Sequence, residues 1–381
     1  MSTLTAMPQA NDSAVMPVPT TMRAAVYRGI NDVRVETVPV PKVGPGEVLI
    51  KVASCGICGT DLKKIHTGSH SAPRIFGHET AGTIAAIGEG VAELPQGFAV
   101  GDRVMVFHHV PCGDCYYCRK RTYAQCPVYK PAGVTAGFEP SGGGFAEYVL
   151  AMDWIVRDGG LIRIPDGIPF EQAAFVEPVN TVLKGIKSLN IQPDETVLVI
   201  GQGPIGILHA TLALKTGAQV LTSDLYPERH AIAAEFGLRH PIHAGTEDVA
   251  ARAKAATEGR GADTVILAVG GNALIKTAME AVRMGGKVLL FAQTQHGEAI
   301  FDPADVCMDE KTLLGSYSSS FDIEREVEEL VFGGYRNGFD LTRLISHRFP
   351  LESAIEAIGL ASNPSASSMK IMIQHQAEQG V

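Results

Sequence analysis

The chain lacks any apolar run that reaches the ~18 residues needed to cross a bilayer as a helix. Its first 21 residues carry a single charged side chain, Asp12, and have neither the basic nor the apolar segment of a secretory signal. Basic residues are too few to balance the acidic ones, with 32 Lys and Arg against 41 Asp and Glu and a formal net charge of −9. This balance argues against nucleic acid or an anionic membrane as the main partner. We therefore expect a cytoplasmic protein with a disordered leader over 1–21.

What the chain contains is typical of a large globular enzyme. Its 381 residues are 45% hydrophobic and 19% charged, which is enough for two domains. The 41 glycines favour tight turns and close backbone approaches. Seven cysteines, four of them in one short segment, are consistent with a reducing compartment in which thiolates stay available for metal.

Two kinds of pattern divide the chain. From Met22 to about Ala151, short alternating segments separated by Gly and Pro predict a barrel-like β domain. After Pro193, apolar strands alternate with helices of 10–15 residues, which predicts a parallel sheet and an α/β fold. The tail adds a helix over about 322–333 and the strand KIMIQ, which we expect to return to the first domain. The predicted domains are 22–178 with 322–381, and 179–321.

Four cysteines follow the spacing C-x2-C-x2-C-x7-C inside a lobe expected at 108–130, at Cys112, Cys115, Cys118 and Cys126. Two-residue gaps aim successive sulfurs at one point, which suits tetrahedral Zn²⁺ with Zn–S of about 2.3 Å. Four thiolates leave no open position, so this zinc is expected to be structural. An iron–sulfur cluster and coincidental cysteines are the alternatives.

A glycine turn, GQGPIG, follows the apolar segment TVLVI and precedes a helical pattern. Such a turn lets the backbone and a helix N-terminus approach a pyrophosphate. Asp224 ends the next strand, where its carboxylate would bind an adenosine ribose and repel a 2′-phosphate. Arg229 is expected to contact adenine or, less favourably, a phosphate. The alternative is an ordinary turn beside a solvated aspartate. The predicted NAD contacts are Gly201, Gly203, Pro204, Ile205, Gly206, Asp224, Arg229, Val269 and Thr294.

A second metal site is indicated by Cys58 in SCGICGTD, by His78-Glu79 twenty residues later, and by Glu177, expected where an apolar helix closes. A thiolate, an imidazole and a carboxylate make a mixed shell with room for water or substrate. Adjacent residues point in different directions on a helix or strand, so His78 and Glu79 are not both assumed to bind. A Cys55/Cys58 redox pair is the alternative, and His108 and His109 are not expected to be ligands.

The run GHETAGTIAAIGEGV matches the pattern G-H-E-x2-G-x5-G-x2-V and resembles the zinc signature of the medium-chain alcohol dehydrogenases. CGICGTD, the four-cysteine lobe and GQGPIG follow in that family's order. Glu177-Pro178 is similar to the polyol (sorbitol) and threonine dehydrogenase branch. The resemblance implies a GroES-like β-barrel catalytic domain and a Rossmann, doubly wound NAD-binding domain.

The resemblance also implies roles for the site residues. Cys58 and His78 would hold a catalytic zinc, with Glu79 and Glu177 sharing the remaining role, so that each subunit carries two Zn²⁺. Thr60 would take the proton of the alcohol substrate while its carbon gives hydride to NAD. Lys63 stands where many relatives carry a proton-relaying histidine, and it is interpreted either as solvated or as a contact for an anion.

The predicted function is NAD-dependent oxidation of a secondary alcohol, most specifically a polyol or sugar alcohol. L-threonine 3-dehydrogenase and phospho-polyol dehydrogenase are the enzymatic alternatives, and a zinc or NAD redox sensor is the non-enzymatic one. The segment KTLLGSYS is expected to be the last strand of the parallel sheet, with an unpaired edge that invites a two-fold partner. We therefore expect a homodimer or homotetramer.

Overall fold

The computed structural model describes residues 17–129, 142–291 and 297–375. The strands are β1 (Thr21–Gly29), β2 (Asp32–Pro39), β3 (Val48–Gly56), β4 (Arg74–Ile75), β5 (Glu79–Ile87), β6 (Arg103–Val106), β7 (Tyr148–Ala151), β8 (Leu161–Arg163), β9 (Thr196–Ile200), β10 (Gln219–Asp224), β11 (His240–His243), β12 (Ala262–Leu267), β13 (Val282–Leu290), β14 (Thr312–Gly315), β15 (Ile345–Pro350) and β16 (Lys370–Gln374). The helices are α1 (Gly59–Thr67), α2 (Tyr116–Arg119), α3 (Asp153–Arg157), α4 (Phe170–Ala174), α5 (Val176–Leu189), α6 (Pro204–Lys215), α7 (Pro227–Glu235), α8 (Val249–Ala255), α9 (Ala273–Ala281), α10 (Pro303–Cys307), α11 (Glu324–Glu328), α12 (Gly334–Arg336) and α13 (Ala354–Ser362).

The first β region is built around β3. This strand pairs antiparallel with β5, β7 and β16, and the larger sheet runs in the order β15-β16-β3-β5-β6-β8. A smaller sheet of order β2-β1-β4 packs beside it. Because β16 lies next to β3, the C-terminal strand KIMIQ returns to the N-terminal sheet.

The second sheet is parallel throughout its described pairs and has the order β11-β10-β9-β12-β13-β14. The chain reverses direction across the sheet at β9, so the crevice at the carboxyl ends of β9 and β12 is the place where such folds bind ligands. Strand β14 is the edge strand, as predicted for KTLLGSYS.

Three buried apolar clusters hold these layers. One lies between the two sheets of the first β region and includes Val52, Phe76 and Ile373. Another lies under β12 and helices α8 and α9. The third is shared between the two regions, since Met105 of β6 and Val179 of α5 belong to the same cluster as residues of α6. This shared core packs β6 and α5 against the parallel sheet and α6.

Candidate metal and dinucleotide site

Three side chains that can bind a metal converge where β3 ends and β5 begins. Cys58 is the N-cap of α1, His78 directly precedes β5, and Glu79 is its first residue. One donor atom from each lies within 4.8 Å of the donor atoms of the other two. A thiolate, an imidazole and a carboxylate are a donor set that zinc accepts, with a fourth position left for water or substrate. The residues present therefore fit a catalytic zinc ion.

Asp61 holds two of these residues in place. Its Oδ1 lies 3.0 Å from Nδ1 of His78, and its Oδ2 accepts a hydrogen bond of 3.1 Å from the N–H of Cys58. Burial alone would raise the pKa of Asp61, but the neighbouring His78 outweighs it and lowers that pKa. The carboxylate binds Nδ1, so it orients the imidazole and leaves Nε2 for a metal, as carboxylates commonly do for histidine ligands.

Glu79 is paired with a lysine that sequence reasoning did not find. Nζ of Lys370, at the start of β16, contacts Oε2 of Glu79 and donates a 3.2 Å hydrogen bond to the carbonyl of Ile57. Both charged side chains are more than nine-tenths buried. Gly56 is required here, because a Cβ at that position would lie 1.9 Å from Oε2 of Glu79.

The charges of the pair change both of their pKa values. Burial raises the pKa of Glu79, and the cation of Lys370 offsets only part of that effect. Burial lowers the pKa of Lys370, but Glu79 more than compensates and raises it. An ion pair in a buried site is stable only when both partners remain, because removal of one leaves an uncompensated charge.

Glu177 does not close a helix as predicted; it lies in the first turn of α5. Its Oε1 lies 3.2 Å from Nε2 of His109 and accepts a 3.4 Å hydrogen bond from the hydroxyl of Ser319. Burial raises the pKa of Glu177, and the hydrogen bond from His109 reverses this to a net decrease. Among the described residues, the donor group of Cys58, His78 and Glu79 does not include Glu177.

Two adjacent histidines lie beside this group and differ in their hydrogen bonds. His109 has partners on both ring nitrogens, because its Nδ1 lies 3.1 Å from Oγ of Ser318. The ring of His108 is centred 3.7 Å from that of His109 and 5.5 Å from that of His78. Nδ1 of His108 is buried and has no hydrogen-bond partner among the described residues. Burial lowers the pKa of both His108 and His109, so both rings are neutral near pH 7.

The hydroxyl predicted to move the substrate proton lies next to the thiol of the metal site. Oγ1 of Thr60 is 3.2 Å from Sγ of Cys58. Cys55 lies elsewhere: it is fully buried, 3.3 Å from Oγ1 of Thr80, and burial raises its pKa. A thiol with a raised pKa is a poor redox nucleophile, which disfavours the Cys55/Cys58 pair. Lys63 is exposed on α1.

The four cysteines of the lobe come together as their spacing predicts. Their sulfur atoms all lie within 4.8 Å of one another, and none forms a disulfide. Sγ of Cys118 is 3.4 Å from that of Cys115 and 3.9 Å from that of Cys112, and Cys126 is buried behind them. Four free thiols in one cluster fit a closed, structural Zn²⁺ shell.

The GQGPIG turn connects β9 to α6 as predicted. Gly203 is the N-cap of α6 and Pro204 its first residue. At Gly206 a Cβ would lie 1.8 Å from the carbonyl oxygen of Gly201, so only glycine lets the helix pack this closely on the turn. The arrangement points the N-terminus of a 12-residue helix, with its unpaired N–H groups, toward the crevice.

Asp224 ends β10 beside this turn. Its Oδ2 accepts a 2.7 Å hydrogen bond from the N–H of Gln202, and its Oδ1 accepts one of 3.0 Å from the N–H of Tyr226. Nη1 of Arg229 is 3.4 Å from Oδ2. A carboxylate has about four acceptor sites, so these contacts orient Asp224 and still leave capacity for a ribose hydroxyl.

A cavity joins the metal group to the dinucleotide turn. Its wall includes Cys58, Glu79 and Lys370 on one side and Pro204, Ile205 and Leu208 on the other. Two other residues of α1 are not part of this wall: Ile65 is in the apolar core, and His66 contacts Asn31 and Ser362. Leu62, on the same helix, lines the cavity instead.

Other predicted contacts have different outcomes. Val269 is 42% exposed just beyond β12, with its Cβ close to Gly201. Thr294 lies outside the described residues.

Sequence reasoning missed Lys370, His108 and His109 as neighbours of the site. The signal for Lys370 was a charge at the start of an otherwise apolar strand, KIMIQ. The signal for the histidines was weaker, because a pair of imidazoles beside a cysteine lobe has no spacing that indicates which site it faces.

Comparison with known proteins agrees with this geometry. Residues 44–166 match the alcohol dehydrogenase GroES-like domain, and residues 204–332 match the zinc-binding dehydrogenase domain. Sorbitol dehydrogenase of Bacillus subtilis is 30% identical over 362 residues, covering 93% of this chain and 98% of that protein. The (R,R)-butanediol dehydrogenase of Bacillus subtilis is 29% identical over 367 residues, covering 93% and 99%.

A solved structure extends the likeness to three dimensions. A zinc-binding dehydrogenase from Sinorhizobium meliloti, bound to NADP, superposes with a TM-score of 0.80 at 28% identity, covering 93% of this chain and all of that one. The predicted GroES-like and Rossmann-type fold is therefore confirmed. Both metal-binding groups, the glycine turn and the matched domains lead to one assignment: the chain belongs to the zinc-dependent medium-chain alcohol dehydrogenases, in their polyol and threonine dehydrogenase branch.

Proposed function

We propose that this protein oxidises a secondary alcohol, most specifically a polyol or sugar alcohol, with NAD as hydride acceptor. The observation that carries the proposal is the group of Cys58, His78 and Glu79, of which Cys58 and Glu79 line a cavity that reaches the N-terminus of α6. A metal-binding group and a dinucleotide turn on one cavity are the two parts that hydride transfer from an alcohol requires.

Two zinc ions per subunit are proposed, one in each donor group. Cys58, His78 and Glu79 would hold the catalytic ion, with Glu177 close by, and the four cysteines would hold the structural one. A bound Zn²⁺ supplies Lewis-acid chemistry that makes the hydroxyl of the substrate more acidic. The protein positions this chemistry through Asp61, which orients His78, and through Lys370, which offsets the charge of Glu79.

Thr60 is proposed to take the proton of the substrate hydroxyl, since its Oγ1 lies 3.2 Å from Sγ of Cys58. Beyond Thr60, the exposed position of Lys63 favours its interpretation as a solvated residue. Water or the nicotinamide ribose would then complete the proton path. The alternative, in which Lys63 binds an anion, requires a phosphorylated or carboxylated substrate.

NAD is proposed over NADP because of Asp224. Its carboxylate is held in place at the end of β10, where a 2′-phosphate would meet a fixed negative charge. Arg229 supplies the nearest counter-charge to that carboxylate.

A homodimer, or a tetramer of dimers, is proposed through β14. Among the described strands this edge has no partner, and Met284 and Met308 lie beside it with 71% and 80% of their surface exposed. An unpaired edge flanked by exposed apolar side chains is suited to a two-fold contact. A monomeric mass at micromolar concentration, measured by light scattering, would contradict this.

The decisive experiment incubates the purified protein with NAD⁺ or NADP⁺ and a panel of alcohols, while reduced nicotinamide is followed by its absorbance. The panel contains sorbitol, xylitol, 2,3-butanediol, 2-butanol, L-threonine and a phosphorylated hexitol. Turnover of a free polyol or diol with NAD⁺ supports the proposal. Preference for L-threonine or the phosphorylated hexitol would assign one of the two enzymatic alternatives, and no turnover at all would favour a sensor.

A further inference from the structure

The paired histidines beside the metal group differ in a way that the proposed reaction does not use. His109 is committed on both ring nitrogens, to Glu177 and to Ser318. His108 packs beside it and is only 8% exposed, yet its Nδ1 has no partner among the described residues. A buried polar atom without a hydrogen bond is rare and costly, and it calls for a water or a ligand to complete it.

The position of His108 restricts what that ligand can be. Its ring centre lies 5.5 Å from that of His78, one of the three donors of the metal group. The neighbouring ring of His109 is fixed in place by its two hydrogen bonds, and it contacts His108 at a centroid distance of 3.7 Å with the two rings tilted by 43°. His108 is therefore held next to a donor residue of the metal group, with an imidazole nitrogen that needs a polar group.

We propose that His108 hydrogen-bonds a second polar group on the carbon next to the reacting carbinol, so that the enzyme selects vicinal diols and polyols over simple secondary alcohols. This inference rests on the proposed function, since it assigns the substrate class of the same site. A neutral imidazole both donates and accepts, so either a hydroxyl or an amine on the adjacent carbon satisfies it. Sites that hydrogen-bond a substrate hydroxyl reject the analogue that lacks it, because their own buried polar groups are left unpaired.

The likeness to two relatives supports this substrate class. Sorbitol dehydrogenase and (R,R)-butanediol dehydrogenase are both named for substrates with hydroxyls on adjacent carbons. The cavity wall itself is largely apolar beyond the metal group, with Leu62, Phe175 and Ile205 among its lining residues. A wall of this kind binds the carbon skeleton and leaves discrimination between hydroxyl and hydrogen to the few polar groups nearby.

The test compares two substrates that differ by one hydroxyl, 2,3-butanediol and 2-butanol, each supplied as its separate stereoisomers. In His108→Phe a flat ring remains but both nitrogens are lost. We expect kcat/KM for the diol to fall about 10- to 100-fold, as for loss of one hydrogen bond in a buried site, while the value for 2-butanol changes less than about 3-fold. His108→Asn, whose amide stands near the place of Nδ1, is expected to retain most of the preference for the diol.

His209→Phe is the matched control. His209 is also completely buried, and neither ring nitrogen has a partner in the part of the chain that the structure describes, but it lies on α6 against Phe291 and outside the metal group. Its replacement is expected to leave the ratio of the two kcat/KM values unchanged. A comparable change of that ratio in His209→Phe would show that any lost buried imidazole perturbs selectivity, and would overturn the proposal.

A second measurement does not depend on turnover or on the folding of a variant. In wild-type protein with ¹⁵N-labelled histidine, the ring resonances of His108 should shift when 2,3-butanediol is added and not when 2-butanol is added. No shift with the diol overturns the inference, as does a wild-type enzyme that oxidises both alcohols with equal kcat/KM. In either case the proposed function still stands. A protein that oxidises no alcohol with either cofactor refutes the proposed function itself.

Discussion

The buried pair of Lys370 and Glu79 leads to a prediction whose size can be worked out. Both side chains are more than nine-tenths buried, so water provides little compensation when one partner is removed. At an effective dielectric of about 20, two unit charges in contact attract by about 4 kcal/mol. Loss of one partner from a buried pair is measured at about 3–5 kcal/mol, because the remaining charge is left without a partner. We expect Lys370→Met to destabilise the protein by about this amount.

The assay is thermal unfolding of matched variants, all without metal at Cys58, His78 and Glu79, because Glu79→Gln also removes a donor of that group. For a domain of this size, 1 kcal/mol corresponds to a shift in Tm of about 2–4 °C, so Lys370→Met should lower Tm by at least about 6 °C. The double variant Glu79→Gln/Lys370→Met removes both charges and should recover most of the loss.

Lys311→Met is the control for removing a buried lysine. Lys311 is as buried as Lys370, but its partners Asp305 and Asp309 are 23% and 29% exposed. Those carboxylates can be hydrated when the lysine is lost, so the cost should be about 1 kcal/mol or less. If Lys370→Met costs no more than Lys311→Met, or if the double variant is no more stable than the single one, the reasoning about the buried pair is wrong.

Three further predictions test other parts of the molecule. Cys115→Ser breaks the four-thiol cluster, so the variant should lose one zinc per chain and have a lower Tm before any direct catalytic defect appears. A structural ion would be contradicted if wild type and variant both bound one zinc per chain and had the same Tm. Asp224→Ala removes the carboxylate that we propose binds the adenosine ribose, so kcat/KM with NADP⁺ should rise relative to NAD⁺. A wild type that already prefers NADP⁺ would show that Asp224 does not set the choice. Burial and the charge of Glu328 raise the pKa of Glu324 from 4.5 to about 8, so the folded state binds this proton more tightly than the unfolded state. The stability that the bound proton contributes is therefore lost as pH rises from about 4.5 to about 8. Glu324→Gln should therefore melt higher than wild type above about pH 8 and at nearly the same temperature below about pH 4.5, and an equal shift at both pH values would refute the raised pKa.

Features encoded in short stretches of chain were readable from the sequence. The four-cysteine lobe, the GQGPIG turn and the carboxylate of Asp224 each depend on spacing within one supersecondary unit, and the folded chain places them as predicted. The alternation of strands and helices likewise determined the parallel sheet and its edge strand β14. The start of α5 was the local exception, because the apolar run FEQAAFVEP conceals the break between Ala174 and Val176.

The arrangement around the metal group was decided only by tertiary structure. The sequence makes Glu79 and Glu177 equal candidates for the third metal ligand. In the folded chain, β5 places Glu79 beside Cys58 and His78, whereas the first turn of α5 places Glu177 beside His109. Lys370 reaches Glu79 because β16 pairs with β3, a long-range contact that no local pattern specifies. The hydrogen-bond state of His108 follows from the same cause: whether a buried imidazole has a partner depends on which distant elements pack around it, and that is known only once the chain has folded.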